Sequence, residues 1–212
     1  MKRTDFDSVI FDMDGTLWDA VDTYAAIWNE TYRRMNVDAT VTRQQLIGCM
    51  GLPLDRITDL IAPSGLDRTQ FESVLRMVDA EMMPKEGGVL YPGVRQLIPE
   101  LARRYKLFMV SNCGPKGLDY FMDFTGLGAY FTATLTYGQT HLPKADNIRR
   151  LIDDYALKSP VYVGDTDGDC RQAHEAGIPM IFAAYGFGRC DDAEFTIRSF
   201  QDLARLILDD RK

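Results

Sequence analysis

Short β-branched and aromatic runs alternate with stretches of helical period along most of the 212 residues, and this alternation restricts the possible folds most strongly. Residues 8–11, 107–111, 131–136, 161–164 and 180–184 read as strands, and runs such as 145–155 and 169–176 read as helices that follow them. Parallel strands need long crossovers, so the pattern predicts an α/β fold. The expected core is a Rossmann-like, doubly wound parallel sheet with helices on both faces. The first crossover breaks the rhythm. From Trp18 to Tyr91 the chain reads as helix throughout. Val21, Ala25, Trp28, Tyr32 and Met35 share one helical face, and Phe71, Val74, Leu75, Val78 and Met82 share another, with Asp67 as an N-cap. That interval predicts a small helical domain, 18–91, inserted after strand 1 into a core made of residues 1–17 and 92–212. Residues 17–20 and the glycine-rich stretch KEGGVLYPG, 85–93, are the expected hinges. Pro99 predicts a kink or a late start in the helix after Gly93.

Charge and cysteine usage narrow the function classes. A net charge of −7 argues against nucleic acid and anionic membranes as partners. No apolar run approaches the length of a membrane span, and no apolar stretch precedes the first acid as a leader would require. Cys49, Cys113, Cys170 and Cys190 are scattered and form no CxxC pair. They read as reduced thiols of a cytoplasmic protein rather than a zinc site or disulfide framework.

The strand tips carry the unusual residues. VIFDMDGTLWD ends an apolar strand in Asp12 and Asp14, VSNCG ends another in Ser111 and Asn112, and VGDTDGD brings Asp165 and Asp169. Ligands of open parallel sheets sit beyond the carboxyl ends of the strands, so these groups are expected to converge on one crevice. Four carboxylates there repel one another, and burial penalises each. A hard divalent cation, Mg2+, offsets that repulsion, and Lys144 adds positive charge, so a site of this composition accepts a phosphate group when the metal is present. Seen alone, Asp12 and Asp14 could be an Asx turn. A calcium loop starting at Asp165 would want Gly and Glu where the chain has Cys170 and Ala176. His141 and His174 are assigned no role. Trp18, Tyr24, Trp28 and Tyr32 read mostly as core of the insert, with at most one of them facing a substrate.

These motifs resemble the haloacid dehalogenase (HAD) superfamily, in the phosphoglycolate phosphatase-like branch with a helical cap after the first motif. DxDGT is Asp12 to Thr16, the second motif is Ser111, the third is Lys144, and GDxxxD is Gly164-Asp165 through Asp169. The third departs from the pattern of many relatives, since Pro143 precedes the lysine and no proline follows. The resemblance implies a Mg2+-dependent phosphatase acting on small phosphorylated metabolites through an aspartyl-phosphate. Asp12 would be nucleophile and Asp14 general acid and base. Asp12, Asp165 and the carbonyl of Asp14 would hold the metal. Ser111, Asn112 and Lys144 would bind phosphate, with Asp169 supporting. Gly51 and Arg56, in the cap stretch CMGLPLDR, become specificity candidates, and YGFGR, 185–189, a loop beside the crevice. The expected state is a monomer or weak homodimer. Two alternatives stand beside this reading. A phosphomutase resembling β-phosphoglucomutase would carry a histidine twelve residues after the nucleophile, where this chain has Tyr24. A regulatory protein could bind magnesium or phosphate without turnover.

Overall fold

The computed structural model describes residues 6–208. Its first strand, β1 (Ser8–Phe11), is followed by the two-residue β2 (Trp18–Asp19) and then by four helices: α1 (Val21–Arg34), α2 (Arg43–Ile47), α3 (Leu54–Ile61) and α4 (Arg68–Glu86). The chain returns through β3 (Val89–Leu90) to α5 (Val94–Ala102) and β4 (Lys106–Ser111). It continues through α6 (Gly117–Thr125), a 3-10 turn (Gly128–Tyr130), β5 (Ala133–Thr136), α7 (Tyr137–Thr140) and α8 (Lys144–Tyr155). The remaining elements are β6 (Pro160–Gly164), α9 (Asp167–Glu175), β7 (Met180–Ala183), β8 (Phe195–Ile197) and α10 (Phe200–Ile207). Among the described residues no helix is long and apolar enough to cross a membrane.

Six strands form one parallel sheet in the order β5-β4-β1-β6-β7-β8. The α/β expectation therefore holds. Strand β1 is central, with Val9 opposite both Leu107 of β4 and Val161 of β6. Covering the sheet on both faces explains why its middle strands read as unbroken apolar runs. Side chains alternate between two buried clusters. Val9, Phe11, Met109 and Val163 join the cluster that contains Val94 and Ile98 of α5 and Phe200 of α10. Ile10, Phe108, Val110 and Tyr162 point the other way, onto Ile148 and Leu151 of α8 and Ala173 of α9. The chain runs from β1 outward through β4 to β5, then crosses back to β6 on the other side of β1. That reversal leaves a crevice at the carboxyl ends of β1, β4 and β6.

The interval after β1 differs in detail from a continuous helical run. Its four helices are separated by turns. The first and last form its principal contact, where Trp28 and Tyr32 of α1 stack on Phe71 of α4. Asp67 caps α4 as expected, accepting from the Gln70 N–H at 3.0 Å. Each expected hinge stretch holds a two-residue strand among turns: β2 and β3 pair antiparallel, Trp18 opposite Leu90 and Asp19 opposite Val89. Helix α5 starts at once after Gly93 and runs through Pro99, so there is no late start. Strand β8 was not anticipated. It has three residues, and the side chain of its middle one, Thr196, is exposed. A period-2 pattern cannot be read from so short an edge strand.

Candidate active site

The crevice gathers the strand-tip residues. Asp12 directly follows β1, and its N–H donates to the Val163 carbonyl at 2.9 Å, so the ladder fixes its backbone. Its carboxylate is only 3% exposed and lies 3.1 Å from Lys144 Nζ. Lys144 is the first residue of α8, yet it is buried. Its ammonium also meets Asp169 Oδ1 at 2.5 Å and stands 5.5 Å from the centre of the Tyr162 ring. Burial works against the lysine's charge, but Asp12 and Asp169 outweigh it and hold its pKa well above the ordinary value. Lys144 therefore carries a fixed positive charge at the base of the site.

Asp169 has little capacity left for another ligand. Its Oδ2 accepts from the Thr166 hydroxyl at 2.7 Å and from the N–H groups of Thr166 and Asp165 at 3.0 and 3.2 Å. The Thr166 hydroxyl accepts in return from the Asp169 N–H, closing a capping box at the start of α9. Asp165 is fully buried. One of its oxygens accepts from the Phe187 N–H at 2.7 Å, and the other has only a long 3.4 Å contact from the Thr16 hydroxyl. The 185–189 stretch thus lies beside the crevice, as the sequence suggested, and the Tyr185 hydroxyl ties it to the Thr16 carbonyl at 2.9 Å. Gly15, at φ +81°, lies against the same carboxylate. A Cβ there would fall 2.1 to 2.7 Å from the Asp165 carboxyl atoms, so only glycine fits.

Ligand oxygens of Asp12, Asp165 and Asp169 lie within 4.8 Å of one another. With Asp169 occupied by Lys144 and the α9 cap, Asp12 and Asp165 are the carboxylates with oxygen to spare. Among the described residues no donor takes the Asp14 carbonyl oxygen. This hard, all-oxygen donor set fits a magnesium ion. Burial, with neighbouring negative charge, pushes the Asp12 carboxyl up to about 6 and the Asp165 carboxyl well above the usual range. Buried anions this close call for a cation beyond Lys144.

Asp14 is not part of the carboxylate cluster. Its carboxylate accepts from Trp18 Nε1 at 2.9 Å and from the Tyr24 hydroxyl at 3.1 and 3.2 Å. Burial and the charge of Asp12 push it up to about 8. The aromatic residues that sequence reasoning assigned mostly to core therefore include two that hold this acid. The available signal was the tyrosine twelve residues after Asp12, a position that faces the site. Ser111 ends β4, and its Oγ accepts from the Cys113 N–H at 3.3 Å. Burial pushes the Cys113 thiol up to about 12, which favours the thiol over the thiolate.

Above this floor lies a cavity of about 390 Å³, bounded by Asp12, Asp14 and Ser111 below and by the helical insert above. The insert touches the core through Gly51. Its carbonyl accepts from Asn112 Nδ2 at 2.8 Å, and a Cβ on it would sit 3.4 Å from Thr166. Gly51 and Asn112 both line the cavity. Arg56 is not brought there: its side chain is 69% exposed and lies 4.0 Å from Asp59, while the neighbouring Ile57 faces the cavity. One residue along a helix turns a side chain by about 100°, enough to move it from lining to solvent.

A model of the family described as haloacid dehalogenase-like hydrolase matches residues 9–183. A phosphoglycolate phosphatase of Synechococcus elongatus is 25% identical over 184 residues, covering 85% of this chain and 84% of its own length. A solved Haemophilus somnus structure, described as a predicted phosphoglycolate phosphatase, superposes with a TM-score of 0.83 at 21% identity, covering 97% and 99% of the two chains. CbbY from Rhodobacter sphaeroides, solved with phosphate, gives 0.80 at 19% identity over 93% and 96%. With the family match running from β1 through β7 and taking in the insert, the chain belongs to the haloacid dehalogenase-like hydrolases and is a phosphatase of phosphoglycolate phosphatase-like type.

Proposed function

We propose that the chain hydrolyses small phosphorylated metabolites with magnesium, through an aspartyl-phosphate on Asp12. One observation carries this reading: a buried carboxylate held against Lys144, a second carboxylate with an oxygen to spare, and an acid held by Tyr24 and Trp18 meet at one crevice. Asp12, Asp165 and the Asp14 carbonyl would hold Mg2+, which when bound would screen the repulsion between the carboxylates and the incoming phosphate.

The chain's own residues then account for each step. Asp12 attacks phosphorus, and the bond from phosphorus to the leaving alcohol breaks as the aspartyl-phosphate forms. Asp14 gives its proton to the leaving oxygen. It then takes a proton from the water that attacks phosphorus, and Asp12 is restored. Tyr24 and Trp18 keep the Asp14 carboxyl in place for both transfers. Lys144, Ser111 and the backbone near Asn112 stabilise charge on the remaining phosphoryl oxygens, and Asp169 positions Lys144. Residues 18–91 act as a lid over the rest of the described chain, hinged at the β2–β3 pair. Four free thiols support a cytoplasmic setting. A tyrosine bonded to Asp14, where a phosphomutase would have histidine, supports hydrolysis over mutation of a sugar phosphate.

The test is turnover of phenyl phosphate with and without Mg2+, by the native chain and by Asp12→Asn. Turnover is expected to need the metal and to fall by roughly a thousandfold or more in Asp12→Asn. Unchanged turnover would remove Asp12 as nucleophile.

A further inference from the structure

The floor of the cavity is built for phosphate, but its roof has a different chemistry. Ile27 of α1, Leu46 of α2, Met50 from the turn that follows, Leu54 and Ile57 of α3 and Leu75 of α4 all line it. Three cations lie on or under this cavity, and each is already engaged. Lys144 is held between Asp12 and Asp169, Arg76 meets Glu72 at 2.9 Å, and Lys116 meets Asp119 at 3.0 Å. Above the floor the remaining charged group is Asp79 of α4, a half-buried carboxylate on the cavity wall near Tyr24 and Tyr120. No hydrogen bond or opposite charge offsets its burial, and its carboxyl is pushed up to about 6.

Resting on the phosphatase reading, we infer that the substrate is a phosphate monoester of an apolar, ring-sized alcohol that carries a cationic or hydrogen-bond-donating group to meet Asp79, rather than the ester of a small anionic acid. An apolar body would replace water against the aliphatic roof, as in cavities of this size generally. Its donor group would give Asp79 the partner the protein does not supply, since partial burial without one carries a cost. A second carboxylate on the substrate would meet like charge from Asp79, and the two cations that line the cavity, Arg76 and Lys116, already have carboxylate partners in exposed pairs. The Gly51 carbonyl is an acceptor already bonded to Asn112 and offers nothing to an anion.

The experiment measures kcat/KM of the native enzyme with Mg2+ on phosphoglycolate, phenyl phosphate, para-aminomethylphenyl phosphate and para-carboxyphenyl phosphate. The two para-substituted phenols are similar leaving groups, so their ratio reports on the wall they meet. The aminomethyl ester is expected to exceed the carboxyl ester by about tenfold or more, the scale of one charged contact, with phosphoglycolate the poorest of the set. In Asp79→Asn that ratio should fall toward one, mainly through KM. The inference is overturned if phosphoglycolate or the carboxyl ester equals or exceeds the aminomethyl ester, or if Asp79→Asn leaves the ratio unchanged. Absence of turnover with all of the esters, or turnover that survives Asp12→Asn, would instead overturn the phosphatase reading beneath it.

Discussion

The floor and the roof of one cavity are held by opposite means. On the floor, most polar atoms have a partner fixed by the sheet or by a helix start. Asp12 hangs from the β6 ladder, Asp169 closes the α9 cap while gripping Lys144, and Asp165 is pinned by the Phe187 N–H. Across the cavity, the roof is aliphatic, and its acid, Asp79, has no partner. The floor cannot change without leaving a buried charge exposed to its own repulsion. The roof can change by ordinary exchanges of one apolar side chain for another. A tightly constrained floor and a more tolerant roof follow from that difference.

The harshest way to break the comparison is to empty the floor of its cation. Lys144→Ala leaves Asp12 and Asp169 buried against each other, and removing one partner of such a cluster typically costs about 3–5 kcal/mol. Denaturant unfolding should show a loss of that size, together with loss of turnover. A loss below about 1 kcal/mol, the ceiling for an exposed pair, would mean the cluster is solvated. Gly15→Ala tests the cradle around Asp165. The new Cβ would collide with that carboxylate, and the backbone is already at φ +81°. The Mg2+ concentration giving half-maximal turnover should rise on the order of tenfold to a hundredfold, comparable to disturbing the groups that orient a metal ligand.

Tyr24→Phe works at the border between the two regions, because α1 belongs to the roof while its hydroxyl serves the floor. Losing one hydrogen bond to a buried acid costs about 1–3 kcal/mol. kcat on phenyl phosphate should fall about tenfold or more, with KM little changed. A change confined to KM would assign Tyr24 to substrate binding instead. The smallest effect is expected on the roof itself. Burial pushes the Asp79 carboxyl up to about 6 in the folded chain, against 3.8 for an ordinary aspartate. A carboxyl raised on folding carries no penalty below the unfolded value and destabilises increasingly as pH rises through the folded one. Asp79→Asn should therefore raise Tm at pH 8 by roughly 2–4 °C, the response to about 1 kcal/mol in a chain of this size. The gain should fade as the pH is lowered toward 4. A gain independent of pH would show that Asp79 is not the titrating group.

The floor was legible in the sequence and the roof largely was not, for the same physical reason. Asp12, Ser111 and Asp165 each end a strand or directly follow one, and strands of a parallel sheet deliver their ends to one edge. Reading the strands was therefore enough to gather those residues. Lys144 could be placed because few lysines lie near it in sequence and the motif order required one. The roof depends on how helices are rotated and on the angle at which α1 leaves the hinge, and neither is set by local periodicity. Arg56 was a specificity candidate, but Ile57 beside it is the residue that faces the cavity. Tyr24 and Trp18 looked like apolar packing because helical period does not show that a carboxylate ten or four residues away will meet them; only the spacing of Tyr24 from Asp12 pointed to the site. The β2–β3 pair is two residues long on each side, too short for any alternation to show.

The central claim is that Asp12 itself carries the phosphoryl group during turnover. Rapid acid quenching of the enzyme with Mg2+ and phenyl phosphate, followed by peptide mass spectrometry, tests it directly. The account predicts one phosphoryl group on the peptide containing Asp12, localised to that residue and absent in Asp12→Asn. A phosphoryl group on another residue, or turnover with none trapped on Asp12 under single-turnover conditions, would contradict it.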